Sequence, residues 1–141
     1  MTSFDFIIVG SGAAGAASAW RLCSKGYSVA CLDRGAWMDA TKYPSASIDW
    51  ELQKKTSSNP VIASRQNAYD YPVDDSDSPI AICNFNAIGG STIMYSAHFP
   101  RFLPRDFQIL SRDGVGRDWP ISYDALRPYY EINEHEMSVS G

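Results

Sequence analysis

The glycines of Gly10-Ser11-Gly12-Ala13-Ala14-Gly15 have the spacing of a phosphate-cradling turn, and Asp33 stands at the end of the next apolar run. Gly10 permits a tight turn, Gly12 lets backbone approach a pyrophosphate, and Gly15 lets a helix pack closely on a strand. Ala13 and Ala14 open that helix, whose first N–H groups have no intrahelical partner and face the anion. Asp33 is placed to hold the hydroxyls of an adenosine ribose. Arg34 would suit a 2'-phosphate, but the carboxylate before it repels one. This constellation points to the ADP half of a dinucleotide. FAD and NAD share that half, so the motif leaves the choice between them open.

The elements needed to position these residues are legible on either side. Phe4-Asp5-Phe6-Ile7-Ile8-Val9 is a short apolar, β-branched run, the pattern of a parallel strand covered on both faces. Ala13 to Lys25 are mainly small or helix-forming residues, and Gly26 supplies a stop. Tyr27 to Asp33 returns to a strand pattern, completing a βαβ unit with a right-handed crossover. The fold class is therefore α/β, with a Rossmann-like unit at the N-terminus of an incomplete doubly wound domain.

Later segments are less regular. Residues 36–82 lack a sustained period and are rich in Ser, Asp, Asn, Tyr and Pro, so short helical pieces are expected, one of them at Ile48 to Lys55. Asp74-Asp75-Ser76-Asp77 reads as a solvated turn, because a calcium loop would need a turn glycine and a distal Glu. Near the end, Ser122 can cap a helix starting at Tyr123, along which Leu126, Tyr130, Asn133 and Met137 recur at helical spacing. Pro128 is expected to bend or restart that helix, and Tyr129 and Tyr130 to pack in a core.

A second chemical signal is Asn84-Phe85-Asn86-Ala87-Ile88-Gly89-Gly90-Ser91-Thr92-Ile93-Met94-Tyr95. Paired glycines followed by two hydroxyl residues can expose backbone N–H groups to phosphate or ring atoms, and a plain β-turn explains them equally well. A third string is Asp118-Trp119-Pro120-Ile121-Ser122-Tyr123-Asp124-Ala125-Leu126-Arg127-Pro128-Tyr129-Tyr130. In this order the three motifs resemble the N-terminal part of the glucose-methanol-choline (GMC) family of flavoprotein oxidoreductases. The resemblance spans residues 1–141, divided as a βαβ fingerprint (1–35), an irregular segment (36–82), a Gly-Gly-Ser-Thr flavin segment (83–107) and a Trp-Pro/Tyr-Tyr helical segment (117–141).

The resemblance implies that Gly10, Gly12, Gly15 and Asp33 bind the ADP part of FAD, and that Gly89, Gly90, Ser91, Thr92, Met94 and Tyr95 run along the pyrophosphate and flavin ring. Members with covalent flavin carry a His in this segment. Met94 stands there instead, which implies non-covalent FAD. Many members have Asn where this chain has Tyr95. The implied substrate is a small-molecule alcohol, whose carbinol carbon gives hydride to the flavin as a base takes the hydroxyl proton. The family keeps its catalytic His near a far C-terminus, and neither His98 nor His135 lies in a matching motif. The isolated chain is therefore expected to lack the base and to need a partner chain or a missing C-terminal region. A non-catalytic FAD- or nucleotide-binding module is the alternative, and an NAD(P)-dependent enzyme a third reading that Gly89-Gly90-Ser91-Thr92 disfavours.

Composition narrows the classes further. The 141 residues are 45% hydrophobic and 20% charged, enough apolar material for a core. The net charge is -4, and residues 71–141 carry 10 acidic against 5 basic groups, which argues against nucleic acid as a partner. No uncharged apolar run suits a membrane span, and Phe6 to Trp20 follows Asp5 without a basic leader. Cys23, Cys31 and Cys83 form no C-x-x-C pair and read as reduced, buried thiols of a cytoplasmic protein.

Overall fold

A computed structural model describes residues 3–42, 48, 59, 61–65, 70, 73–80, 82–94 and 98–140. The chain divides into two compact units, residues 1–95 and residues 96–141.

In the first unit, β1 (Phe6–Val9) leads into α1 (Ala13–Cys23), which returns to β2 (Val29–Leu32). The strands are parallel, in the register Phe6 with Val29 through Val9 with Leu32. Their starting ends are pinned by the Asp5 carboxylate, which accepts hydrogen bonds from the Ser28 N–H (2.8 Å) and hydroxyl (2.7 Å). Helix α1 stops where the Gly26 N–H returns to the Cys23 carbonyl at 2.9 Å. The Rossmann-like βαβ reading of the sequence thus holds, with each element a residue or more shorter than its pattern.

The expectation of strands covered on both faces needs correction. Ile8 is half-buried, whereas Ile7 is 67% and Val9 84% exposed. Successive strand side chains point to opposite faces, so the face of Ile8 is partly covered and the face of Ile7 and Val9 is open. The cysteines are likewise free and exposed rather than buried, because Cys23 ends a surface helix and Cys31 lies in the two-stranded sheet.

The buried apolar residues described in this unit lie later in the chain, at Phe85 and Ala87. Ala87 forms a parallel bridge with Ala36, and Cys83 an antiparallel one with Val61, just before the short helix α2 (Ile62–Arg65). Asp74 to Asp77 is the exposed turn its composition suggests, with Asp74 accepting from the Ser76 hydroxyl at 2.7 Å. The helical piece expected at Ile48 to Lys55 falls, apart from Ile48, outside the described residues.

The second unit is built around Phe107, 3% exposed, on the 3-10 turn Pro104–Gln108. The rings of Phe102, Trp119 and Tyr123 surround it at centroid distances of 6.5, 5.8 and 6.0 Å, edge-on or tilted as aromatic quadrupoles favour. The Trp119 N–H donates to the Phe107 carbonyl at 3.0 Å, closing the loop after α3 (Ile109–Asp113). Helix α4 (Tyr123–Glu136) runs through Pro128 without interruption, so the proline does not restart it. Tyr130 is half-buried 6.1 Å from the Tyr123 ring, whereas Tyr129 is exposed, because adjacent helical residues point about 100° apart. Arg101 grips Glu134 through two charge-assisted bonds of 2.6 and 2.5 Å, which raises the guanidinium pKa and lowers that of the carboxyl.

Ser122 caps α4 as its sequence position suggests, its hydroxyl accepting from the Ala125 N–H at 3.2 Å. Removing that acceptor leaves a helix-end donor to solvent. Ser122→Ala is expected to destabilise the second unit by about 1 kcal/mol, read as a lower urea midpoint at an unchanged slope.

Candidate functional site

Strand β1 delivers the chain into the glycine loop and α1 leads it away, so the loop lies at the C-terminal end of the strand, where ligands of parallel sheets bind. Gly12 is the N-cap of helix α1, which has no side-chain cap and no acidic residue in its first turn. Its unpaired N–H groups and the positive end of its dipole are free to receive an anion.

The three glycines separate by what the chain itself requires. A Cβ at Gly15 would lie 1.9 Å from the Gly10 carbonyl oxygen and 3.4 Å from the Ile8 side chain, so strand–helix packing demands glycine there. Gly12 has an ordinary φ of -63°, and a Cβ there would meet only the Gly89 oxygen, at 4.0 Å. Neither backbone conformation nor internal packing requires glycine at this position. The space beside it is a cradle that a pyrophosphate can fill.

Asp33 lies just past β2 and is exposed. One carboxylate oxygen accepts from the Ser11 hydroxyl (2.5 Å) and the Ser11 N–H (2.7 Å), and the other from the Gly35 N–H (2.7 Å). The Ser11 hydroxyl, followed by the Gly35 and Ser11 N–H groups, lowers the Asp33 pKa below 3.8. The carboxylate thus ties the glycine loop to the end of β2. Arg34 is exposed beside it.

The same Ser11 hydroxyl accepts the Gly89 N–H at 2.8 Å, joining residues 78 apart. The glycine loop, the acidic residue and the Gly-Gly-Ser-Thr segment therefore meet. Gly89 and Gly90 turn with φ of +92° and +58°, and residues Gly90–Met94 form one 3-10 segment. Ser91 and Thr92 do not present free hydroxyl protons: Ser91 donates to the Asn84 side-chain oxygen (3.2 Å) and Thr92 to the Gly89 carbonyl (2.5 Å). Their hydroxyls shape the turn. Met94 is half-buried, and Tyr95 lies outside the described residues.

Two contributors escaped the motif reading. A Cβ at Gly35 would come within 2.2 to 2.4 Å of Ala87 backbone atoms, so this glycine is what admits the second segment beside β2. Its place directly after Asp33-Arg34 was the only available signal. The other is Arg65, buried against Asn84 and Phe85, which carries no motif at all.

His98 and His135 are exposed. Among the described residues no group of His, Cys, Asp or Glu could hold a metal ion, and no helix is long and apolar enough to cross a membrane. An open cleft of about 640 Å³ in the second unit, between Phe107, Arg112 and Tyr123, contains none of the dinucleotide motif.

Residues 8–53 match the family described as an NAD(P)-binding Rossmann-like domain. The N-terminal unit carries a Rossmann-like dinucleotide fold. Over 97% of its length the chain is 36% identical to a 2-methyl-1,2-propanediol dehydrogenase of Mycolicibacterium austroafricanum, covering 25% of that protein. It is also 32% identical over 99% of its length to the fructose dehydrogenase large subunit of Gluconobacter japonicus, covering 28%. A 6'''-hydroxyparomomycin C oxidase of Streptomyces lividus is 30% identical over 98% of the chain, which covers 23% of it. The chain thus spans about a quarter of the length of these relatives, all named as dehydrogenases or oxidases.

The Asp33 tie has a consequence for pH. A carboxyl with a lowered folded pKa contributes its full stabilisation above the unfolded value of 3.8 and loses it as the pH falls through the lower folded value. The melting-temperature difference between wild type and Asp33→Asn is expected to be constant from pH 7 to about 5 and to shrink below pH 4. A difference that does not change with pH would remove the ionised Asp33 from the loop's support.

Proposed function

We propose that the chain is the N-terminal FAD-binding part of an oxidoreductase acting on the CH–OH group of an alcohol, of the glucose-methanol-choline type. The observation that carries this reading is the bond from the Gly89 N–H to the Ser11 hydroxyl, which sets a second backbone turn against the pyrophosphate loop. An ADP half needs only the first loop. A second turn beside it gives a longer cofactor a further surface. The relatives' names support the same choice, since two-electron-reduced flavin passes electrons either to oxygen or to another acceptor, and the names include both oxidases and dehydrogenases.

When bound, FAD supplies the acceptor for the substrate's hydride. The residues of this chain bind and orient it. Gly12 leaves room for the pyrophosphate, the start of α1 supplies N–H groups and a favourable dipole, and the Asp33 carboxylate, already accepting from Ser11 and Gly35, faces the ribose side of the loop and repels a 2'-phosphate. Met94 stands where members with covalent flavin carry a His and offers no imidazole for flavin attachment, so the cofactor is held non-covalently. Acid or heat denaturation should release all flavin into the supernatant. Alcohol added anaerobically to the complete polypeptide should bleach the flavin absorbance. Flavin left on the precipitate overturns the non-covalent reading, and absorbance unmoved by a panel of primary and secondary alcohols overturns the substrate class.

The match over residues 8–53 favours a nicotinamide dinucleotide as the second reading. It differs in one measurable respect, namely which dinucleotide saturates the site.

A further inference from the structure

Arg65 is the one charged residue among those described that is buried, its side chain 1% exposed. A guanidinium is costly to remove from water, and each nitrogen of this one donates a hydrogen bond. It forms a bidentate pair with Asp70 at 2.7 and 3.0 Å, donates to the carbonyls of Asn59 at 2.7 Å and Asn84 at 2.6 Å, and lies 5.0 Å from the centre of the Phe85 ring. Asn84 and Phe85 in turn hold Ser91: the Ser91 hydroxyl donates to the Asn84 side chain at 3.2 Å and accepts the Phe85 N–H at 3.1 Å. Ser91 belongs to the turn whose Gly89 N–H reaches Ser11, and Ser11 holds Asp33. A chain of hydrogen bonds, linked through residue Asn84 and through the backbone from Ser91 to Gly89, therefore runs from a buried cation to the glycine loop.

The geometry points to Arg65 as a positioning residue that, through Asn84, Phe85 and Ser91, fixes the Gly89–Gly90 turn at the Ser11–Asp33 loop. This rests on the reading that these loops hold a dinucleotide. Lysine cannot replace it fully, because a single ammonium cannot pair with Asp70 in bidentate fashion and also serve two carbonyls in the plane of a fork.

Amide hydrogen exchange on the ligand-free protein, combined with FAD titration of the same samples, tests the assignment with Arg65→Gln, Arg65→Lys and Asp70→Asn. In Arg65→Gln, residues 84–91 should exchange about tenfold or more faster while β1 and β2 keep wild-type protection, and FAD affinity should fall about tenfold. Arg65→Lys should recover part of both. Unchanged exchange at 84–91, or equal acceleration in β1 and β2, overturns the assignment. If wild type binds no FAD, the dinucleotide reading fails, and the exchange pattern alone still decides what Arg65 positions. If Arg65→Gln does not fold, Asp70→Asn takes its place: selective acceleration at 84–91 supports the path and wild-type exchange there refutes it.

Discussion

Gly12→Asp is expected to abolish dinucleotide binding while leaving the fold intact. The side chain enters at an ordinary φ of -63°, with nothing of the chain closer to its Cβ than the Gly89 oxygen at 4.0 Å. The structural cost is therefore small. The ligand cost is large, because the carboxylate fills the cradle, competes for the free N–H groups of α1 and repels the pyrophosphate. Losing two charge-assisted hydrogen bonds at about 1.5 kcal/mol each already weakens binding about a hundredfold. Circular dichroism and melting temperature should match wild type, and FAD titration should show no saturation. Wild-type affinity in this variant would mean that the pyrophosphate does not approach Gly12.

Gly15→Ala is expected to do the reverse, damaging the fold before it touches the ligand. Its methyl would sit 1.9 Å from the Gly10 carbonyl oxygen, a backbone atom that cannot move without shifting either β1 or the loop. Overpacking of this kind costs about 3 kcal/mol, a large fraction of the stability of a small unit. A drop in the urea midpoint, or insolubility, is the expected result, with Gly12→Ala near wild type as the control. Equal stability of the two alanine variants would contradict the division of labour between these glycines.

That division was only partly legible in the sequence. The spacing of glycines 10, 12 and 15 between an apolar run and a helix-forming stretch is a local pattern, and local patterns are what periodicity reads well. It located β1, α1 and β2, and it placed Asp33 beside the loop. It also assigned Gly12 to the ligand and Gly15 to helix packing; what it left out is the atoms that separate them, the Gly10 oxygen and Ile8 beside Gly15 and the distant Gly89 oxygen beside Gly12. The meeting of Ser11 with Gly89 was suggested by motif order alone, because no periodicity spans 78 residues. Gly35, with only its place after Asp33-Arg34 to mark it, and Arg65, with no mark at all, were missed for the same reason: each is defined by a partner, Ala87 or Asn84, that only the folded chain brings near.

Exposure of strand residues was also beyond the sequence. Ile7 and Val9 have the composition of residues covered on both sides, but whether a second layer covers them is a property of the whole sheet rather than of the strand. Tyr129 and Tyr130 illustrate the smaller version of that problem. Neighbours on one helix share composition, and only the position of Tyr123 and Arg101 decides that Tyr130 packs while Tyr129 faces solvent.

We propose that the two glycine segments form one site for FAD. Equilibrium titration of the purified protein with FAD and, separately, with NADH, followed by flavin and nicotinamide fluorescence, tests it most directly. The expected result is saturable binding of one FAD per chain that excess NADH does not displace. Saturable NADH binding with no uptake of FAD would contradict the account and assign the site to a nicotinamide dinucleotide.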